Sequence, residues 1–405
     1  MIALLVVVTT VGVTLGVFYP FQSVILAGFG FAPTQIGLIT SAGALAFTLS
    51  VPAWGHLADV RLGRPLTLRI CALGGAAIIG MLLLPVPTAM VVLAFVTFPI
   101  FESSWQPLAD ALTVNAVRPR EYARVRTLTS LGFASAAIAA GFVYDATGYE
   151  TAFALFAAGA LVMAGASFFV KDAERADLAR HRAAAGATAT SDHREPRRRR
   201  GVGLGSSGVA LRVAPRLALV LIAAFLLHIG MISGYTFLPL RLEALGGGAA
   251  DVALASGLSA AAEIPTMLVL GGIATRFGLR AVFVTSTLLY AVCMASWAVL
   301  DVPMLIVATR AITGIAFAGV LVAAVMTIAR LLPGDLQATG QGLYQTTAFG
   351  LSAIVANVVG GVLYEWGGAV ALFGTGAALA VVGAVVGWWA FPARSATADV
   401  RRSTL

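Results

Sequence analysis

Three charged side chains lie within or beside two long apolar segments. Glu102, Asp110 and Arg126 all fall in the stretch that runs from Glu102 to Phe133. A charged side chain in hydrocarbon costs about 2.5–3.5 kcal/mol on insertion scales, so it needs an opposite charge or a water-filled cavity. Groups of this kind mark solute pathways and proton relays, or they lock helices together. The sequence therefore predicts a polar site or a structural ion pair in this stretch.

A helical hairpin would bring Asp110 and Arg126 together. A turn near Arg118 leaves the two residues equally far from it, at about 12 Å along each arm for a rise of 1.5 Å per residue. Gln106 and Glu102 precede Asp110 by one and two helical turns, in an i, i+4, i+8 row on one helix. Two interpretations stay open. The pair is either a static lock between helices or one side of a polar cavity.

Composition identifies a membrane chain. Hydrophobic residues make up 59% of the 405 and charged residues 11%, the mean hydropathy is +0.93, and soluble domains carry about 25% charged residues. The long apolar runs lack strict alternation, which favours helices over a β-barrel. The net charge of +8 does not indicate a nucleic-acid partner, because the arginines gather in particular connections. Cys71 and Cys293 are single thiols in apolar segments, so no disulfide, metal or cofactor site is predicted.

Twelve membrane-spanning helices are predicted. Their approximate bounds are 2–27, 34–58, 66–84, 88–114, 125–145, 150–171, 214–240, 250–274, 279–299, 302–331, 336–363 and 368–391. They form two six-helix bundles, 1–171 and 214–392, joined by a linker at 172–213 and followed by a tail at 393–405. Basic residues collect on one side of this arrangement, so the positive-inside rule places both termini and the linker in the cytoplasm of a plasma (inner) membrane protein.

The linker is the only long polar region. Its run from Arg197 to Arg200 is expected to lie against anionic lipid headgroups, where each charge contributes about 1 kcal/mol. Residues 203–208 fit the pattern GxGxxG, but four arginines stand where a dinucleotide site needs a strand. The segment is therefore interpreted as a linker. We expect a monomer without a nucleic-acid partner.

Short segments recur in the two bundles. Gly141 to Asp145 (GFVYD) corresponds to Gly361 to Glu365 (GVLYE), and residues 55–59 (GHLAD) correspond to residues 271–275 (GGIAT). Equal span order in both halves predicts a parallel repeat about an axis along the membrane normal. In such proteins the solute site lies near the midplane, between the repeats.

The loop GHLADVRLGR between spans two and three resembles the signature of the major facilitator superfamily of secondary transporters. This copy has one extra residue between Asp59 and Gly63, and the second copy, GGIATRFGLR, has Thr275 in place of the aspartate. The resemblance covers the whole chain and implies the major facilitator fold and transport rather than enzyme activity. The residues assigned to a gating motif are Gly55, Asp59, Arg61, Gly63, Arg64, Gly271, Arg276, Gly278 and Arg280.

The motif has a physical interpretation of its own. Asp59 and the neighbouring arginines can form a charge-assisted network at the helix ends that latches the halves together. Gly55 permits close helix approach and Gly63 a tight turn. A simple topology anchor is the alternative.

More narrowly, the chain is similar to the lactose permease and phenylpropionate permease branches. The segments PLADA (107–111), RVR (124–126) and GF (132–133) carry this likeness. It implies that Asp110 and Arg126 hold the solute, that Phe133 stacks on it, and that Glu263 couples it to a proton. Tyr19 on helix one fits the same site.

The tenth predicted span, 302–331, differs from the corresponding helix of the sugar permeases. In the sugar permeases this helix carries a His and a Glu that take part in proton coupling. Both are absent here, and Arg310 is the ionisable group of the segment. Proton coupling, if present, must use Glu263, Asp110 or Glu102. His228 and Tyr235 on helix seven and Gln345 on helix eleven are further candidates for contact with the solute, although a lone His or an amide also serves packing.

These features predict a secondary active transporter, with proton-coupled symport of a sugar-like or aromatic polar solute. The alternative is a multidrug or metabolite proton antiporter working in efflux. That class usually shows a Gly-Pro pair on helix five, and residues 131–145 lack one. An intramembrane enzyme would need a nucleophile–base set or a metal cluster, which four scattered histidines do not provide.

Overall fold

The computed structural model describes residues 1–170 and 204–393, and these residues form an all-α structure. The arginine run of the linker and the end of the chain lie outside the described residues. The helices are α1 Ile2–Gly16, α2 Gln22–Gly28, α3 Pro33–Leu57, α4 Arg64–Gly80, α5 Thr88–Glu102, α6 Trp105–Ala116, α7 Pro119–Thr147, α8 Thr151–Ser167, α9 Leu204–Val213, α10 Arg216–Ala244, α11 Ala249–Phe277, α12 Leu279–Val299, α13 Pro303–Leu331, α14 Gly334–Gln345 and α15 Ser352–Ala390.

Within the described ranges, ten helical segments are long and apolar enough to cross a membrane. The last of them, Leu336–Ala390, contains non-helical backbone at Gly367 and Gly368, where the sequence places the link between spans eleven and twelve. Thr151–Ser167 is a shorter apolar helix. The protein is therefore an integral membrane protein, and the count of twelve spans stays a prediction.

The fourth predicted span is not one continuous helix. α5 ends at Glu102 and α6 begins at Trp105. Ser103 and Ser104 donate their hydroxyls to the carbonyls of Ile100 and Phe101, and Pro107 has no backbone N–H to donate to the Ser103 carbonyl. The predicted row from Glu102 to Asp110 is therefore interrupted by this two-residue break, and the two carboxylates have different partners.

The extra residue in the first signature loop forms a π-helical turn. Residues Ala58–Leu62 make this turn, and the Gly63 N–H donates to Ala58 O at 2.9 Å. In the second copy the Gly278 N–H donates to Ala274 O, one residue nearer, at 3.0 Å. Both glycines have positive φ, +83° and +87°, which only glycine adopts readily. The insertion is thus absorbed as a bulge that leaves the tight turn intact.

The helices pack in two groups that meet along two helix pairs. In the first group α1 packs on α7 and α8, and α3 and α4 pack on α5; in the second, α10 and α12 pack on α15, and α11 packs on α13. Between the groups α7 packs on α11, and α3 packs on α15. Glycines permit both crossings, since a Cβ at Gly141 would lie 2.7 Å from Ala249 O and one at Gly361 would lie 2.5 Å from Pro33 O.

Candidate functional site

A cavity of about 310 Å³ lies where the two groups of helices meet. Its wall combines ionisable, hydroxyl and aromatic side chains, a mixture typical of small-molecule sites. One wall residue, Phe133 on α7, comes from the first group, and the others come from the second. The lining residues are Phe133, Met231, Ile232, Tyr235, Ser256, Ser259, Ala260, Glu263, Tyr290, Arg310, Phe317 and Phe349.

Glu263 lies midway along α11 and faces this cavity. Among the described residues no Lys, Arg or His nitrogen lies within ion-pair distance of its carboxylate. Arg126, on the opposite group of helices, is the cation whose charge acts on Glu263. The two residues therefore interact electrostatically across the interface without forming a salt bridge.

Arg310 lies nearer one end of the cavity, and its side chain is buried. Its Nε donates to Ala255 O at 3.3 Å and its Nη1 to Thr313 Oγ1 at 3.1 Å. The guanidinium carbon lies 5.5 Å from the Trp297 ring centre, a distance that suits a cation–π contact. In the part of the chain that the structure describes, Arg310 has no carboxylate partner.

The predicted contact between Asp110 and Arg126 is confirmed. Arg126 Nε lies 3.4 Å from Asp110 Oδ1, and Gln106 Nε2 donates to the same oxygen at 2.9 Å. The turn falls where the sequence places it, because α6 ends at Ala116 and α7 begins at Pro119. Both charged side chains are partly exposed, at 39% for Arg126 and 31% for Asp110, so the pair is not sealed in a dry contact.

Glu102 is held separately. Its side chain is buried, and the Tyr19 hydroxyl donates to Glu102 Oε2 at 3.0 Å. Tyr19 follows the end of α1 in a short 3₁₀ turn. Because neither residue lines the 310 Å³ cavity, this hydrogen bond joins helices of the first group beside it.

Two other candidate residues lie away from the cavity wall. His228 is fully buried, its Nδ1 lies 2.7 Å from Ala224 O, and its ring packs edge-on against Tyr344 and Phe349. Gln345 is exposed at the end of α14. Neither is among the lining residues, and neither are Gln106, Asp110 and Arg126, whereas Phe133, Tyr235, Glu263 and Arg310 are.

The structure adds lining residues that sequence reasoning missed. Ser256 and Ser259 are small polar residues on α11, and Tyr290, Phe317 and Phe349 come from three further helices. Tyr290 lies close enough to interact electrostatically with both Arg310 and Glu263. Serines and aromatics also occur in several other spans of this chain, so their types alone gave no signal. The spacing of Ser256, Ser259 and Glu263 along one helix face was the available clue.

The halves are joined at the end of the bundle that carries the acidic links. Asp145, at the end of α7, accepts hydrogen bonds from the backbone N–H groups of Ala249 and Ala250 at 2.6 and 3.1 Å. These two residues begin α11, so a carboxylate of one half caps a helix of the other. In the other helix pair, Glu365 accepts from Thr34 N at 2.9 Å, and Thr34 lies in the first turn of α3.

A third contact closes the same end. The Tyr149 hydroxyl donates to Glu243 Oε1 at 2.5 Å. Burial, assisted by the neighbouring Glu243 carboxylate, raises the pKa of Tyr149 above its usual value. The hydroxyl therefore keeps its proton and stays a donor. We call Asp145, Tyr149, Glu243, Glu365 and the helix starts that they contact the closed end.

The opposite end carries the signature loops. Asp59 Oδ1 lies 3.5 Å from Arg64 Nη2, and Thr275 donates to Gly272 O in its own helix at 2.8 Å. A Cβ at Gly55 or Gly271 would meet no atom of the described residues within 4 Å. The close helix approach predicted at Gly55 is therefore absent in this conformation, although the tight turn at Gly63 is confirmed. We call this end the open end.

A family model described as the MFS_1 like family matches residues 13–375. The chain therefore belongs to the MFS_1 like family of major facilitator transporters, and it is a membrane transporter rather than an enzyme. The predicted resemblance to the superfamily is confirmed. The narrower likeness to the lactose and phenylpropionate permeases stays a prediction.

Known proteins agree with this assignment. A maltose permease of Geobacillus stearothermophilus is 28% identical over 351 residues, which cover 84% of this chain and 81% of that permease. The nucleoside transporter NupG superposes with a TM-score of 0.77 at 16% identity, covering 96% of this chain and 97% of that one. A bacterial homolog of the human lysosomal transporter Spinster, inward-facing and unoccupied, gives 0.69 at 14% identity, covering 96% and 95%. The two solved structures show the major facilitator fold.

Proposed function

We propose that the protein is a secondary active transporter that carries a small sugar-like or aromatic polar solute together with protons. The observation that carries the proposal is Glu263, an intramembrane carboxylate that faces the cavity between the halves and has no ion-pair partner among the described residues. Enclosing an unpaired carboxylate is costly, so a bound proton lowers the free energy of closing the site around it. Glu263 is thus the proton carrier in this proposal.

Coupling follows from the position of Arg126. It belongs to the first half, it pairs with Asp110, and its charge acts on Glu263 in the second half. A proton on Glu263 removes that attraction and loosens the interface. The solute then bridges the halves through Phe133 on one side and Tyr235 on the other. Asp110 and Arg126 do not line the cavity in this conformation, and in this proposal they join the solute as the halves approach each other. The maltose permease relative supports a sugar-like solute, and the aromatic wall supports an aromatic one.

The closed and open ends define the state of the transporter in this proposal. The signature loops face the cytoplasm, together with both termini, in a plasma membrane. The structure is then inward-facing, with the cavity closed to the outside. The signature loops act as the gate of the opposite state, in which the open end closes. The described halves, 1–170 and 214–392, move as two bundles, and the protein works as a monomer with anionic lipid at its linker.

The test is uptake by proteoliposomes under an imposed pH gradient, across sugars, nucleosides and aromatic acids. Wild-type protein should accumulate its solute when the outside is more acidic. Glu263→Gln should lose this accumulation, because the side chain can no longer exchange a proton, yet it should retain solute exchange between equal pools.

The matched control is Glu150→Gln, which removes an exposed carboxylate that lies outside the cavity. Accumulation by Glu263→Gln as steep as that of the wild type would remove Glu263 from the coupling role. Accumulation driven by an acidic interior would instead support the efflux antiporter.

A further inference from the structure

Arg310 has an unusual set of neighbours for a buried cation. Its side chain is 6% exposed, and its bonds within the described structure go to a backbone carbonyl and a hydroxyl, both neutral. Burial of a charge is costly unless an opposite charge or a polar cavity compensates it. The other arginines of the interior region differ, since Arg126 and Arg241 both have carboxylate partners.

One nitrogen of Arg310 remains available to a ligand. Nε and Nη1 are bonded to protein, whereas Nη2 has no protein partner among the described residues and is not enclosed by them. Arg310 lines the cavity, so this donor faces its interior. The N–H groups of this nitrogen can donate to a carboxylate oxygen in a charge-assisted hydrogen bond.

Arg310 and Glu263 lie at different depths along the cavity, measured from the closed end. Arg310 lies about 10 Å from the start of its helix and Glu263 about 20 Å from the start of its own, at 1.5 Å per residue. Both helices begin at the closed end. Arg310 therefore lies toward the blind end of the cavity, and Glu263 lies about 10 Å nearer the opening. Tyr235 and Ser256 line the blind end beside Arg310.

We propose that Arg310 binds a carboxylate of the transported solute, which is then an organic anion with an apolar body. The rings of Phe133, Phe317 and Phe349 would contact that body. The proposal rests on the proposed function only for the location of the solute in this cavity. Charge balance agrees with it, because the titratable groups on the wall are Arg310, Glu263 and the neutral Tyr235 and Tyr290. One proton on Glu263 and one monoanion at Arg310 leave the wall without net charge.

Phenylacetate and its neutral isostere phenylacetamide distinguish a carboxylate site from an aromatic site. Binding to the purified full-length protein in detergent is measured by calorimetry. Phenylacetate should bind at least 10-fold more tightly than phenylacetamide. Phenylalanine reports whether a zwitterion is also accepted, and its Arg310-dependent binding would identify an amino acid as the carboxylate source.

Arg310→Gln should weaken phenylacetate binding about 10- to 100-fold, the range expected for a charged hydrogen bond, and should leave phenylacetamide binding unchanged. Arg310→Lys keeps the charge, but a single ammonium cannot bond Ala255 O and Thr313 and also take the place of Nη2. It should therefore give an intermediate affinity, which also covers the case in which the Gln variant misfolds. Arg241→Gln is the control, because Arg241 bonds Asp301 at 3.0 Å outside the cavity.

Two results would overturn the carboxylate site. The first is that phenylacetate and phenylacetamide bind the wild-type protein with equal affinity. The second is that the Arg310→Gln variant binds maltose with full affinity. The two proposals fail separately. Arg310-dependent binding without pH-driven uptake would refute proton symport alone, and pH-driven uptake of neutral sugars by Arg310→Gln would refute the carboxylate site alone.

Discussion

At the residue scale, the ionisable side chains at the interface divide into a paired set and an unpaired set. Asp110 and Arg126 form a pair within the first half. Glu263 and Arg310 in the second half share a cavity but lie too far apart for a salt bridge. This asymmetry suits transport, because a permanent ion pair needs no further partner, whereas unpaired groups favour a proton or a charged solute.

Arg126→Lys should reduce uptake about 10- to 100-fold at low solute concentration. Arg126 uses its Nε toward Asp110, which leaves its terminal nitrogens for a second partner, and a single ammonium cannot reproduce this planar geometry. Uptake of radiolabelled solute in proteoliposomes measures the effect. The control is Arg124→Lys, which changes an exposed arginine two residues away. Uptake by Arg126→Lys equal to that by Arg124→Lys would place Arg126 outside the solute site.

The sequence predicted this part of the site unequally. The contact between Asp110 and Arg126 could be predicted, because both residues flank one turn and distance along a hairpin is simple to count. The meeting of Arg310, Tyr290 and Glu263 could not, since it depends on how three separate helices rotate and pack. The row of Glu102 and Asp110 was predicted as one continuous helix, and the break at residues 103–104 could not be predicted from apolar length.

At the element scale, one recurring segment joins both helix pairs at the closed end. In Gly141–Asp145 and Gly361–Glu365 the glycine allows close packing against the opposite half, and the acidic residue caps the first turn of the helix that it meets. The tyrosines fix each segment to its own half, since the Tyr144 hydroxyl donates to Val17 O at 2.6 Å and Tyr364 stacks on Phe237. The sequence showed the repeat but not this role.

Neutralising both caps with Asp145→Asn and Glu365→Gln should shift the equilibrium away from the closed end about 3- to 30-fold. The negative charge of each carboxylate is favoured at a helix N-terminus, and the change to an amide removes it. At Asp145→Asn the single amide oxygen also replaces only one of the two acceptors that Asp145 offers to Ala249 and Ala250. The readout is the labelling rate of Ser256→Cys by a membrane-impermeant thiol reagent added outside, in a background without Cys71 and Cys293.

Asp251→Asn provides the control for this change. Asp251 caps the same helix start, but it accepts from Gly248 N within its own half, at 3.0 Å. Its loss should leave the labelling rate unchanged. Equal rates in the double variant and in Asp251→Asn would mean that the two caps do not hold the closed end.

Element boundaries were the part of the fold that hydropathy could not give. Apolar length predicts that a segment crosses the membrane, and the helical segments follow those predictions closely. It carries no information on interruptions inside a span, such as the π-helical turn at 58–62 or the break at residues 103–104. Those features depend on single hydrogen bonds, for example Ser103 to Ile100 O.

At the scale of the whole molecule, the central claim is that two helical bundles expose one cavity alternately to either side. The relative motion of the closed and open ends can be measured before the solute is known. Spin labels report it in lipid nanodiscs by pulsed dipolar spectroscopy. One pair, Val60→Cys with Thr275→Cys, spans the open end, and another, Glu150→Cys with Trp366→Cys, spans the closed end.

The distance distributions of both pairs are compared with and without the double change Asp145→Asn and Glu365→Gln. We predict opposite shifts, in which the pair across the closed end moves apart while the pair across the open end comes together. The alternating-access account would be contradicted if the closed-end pair moved apart while the open-end pair did not come together. Unchanged distances in a variant that still transports would contradict it as well.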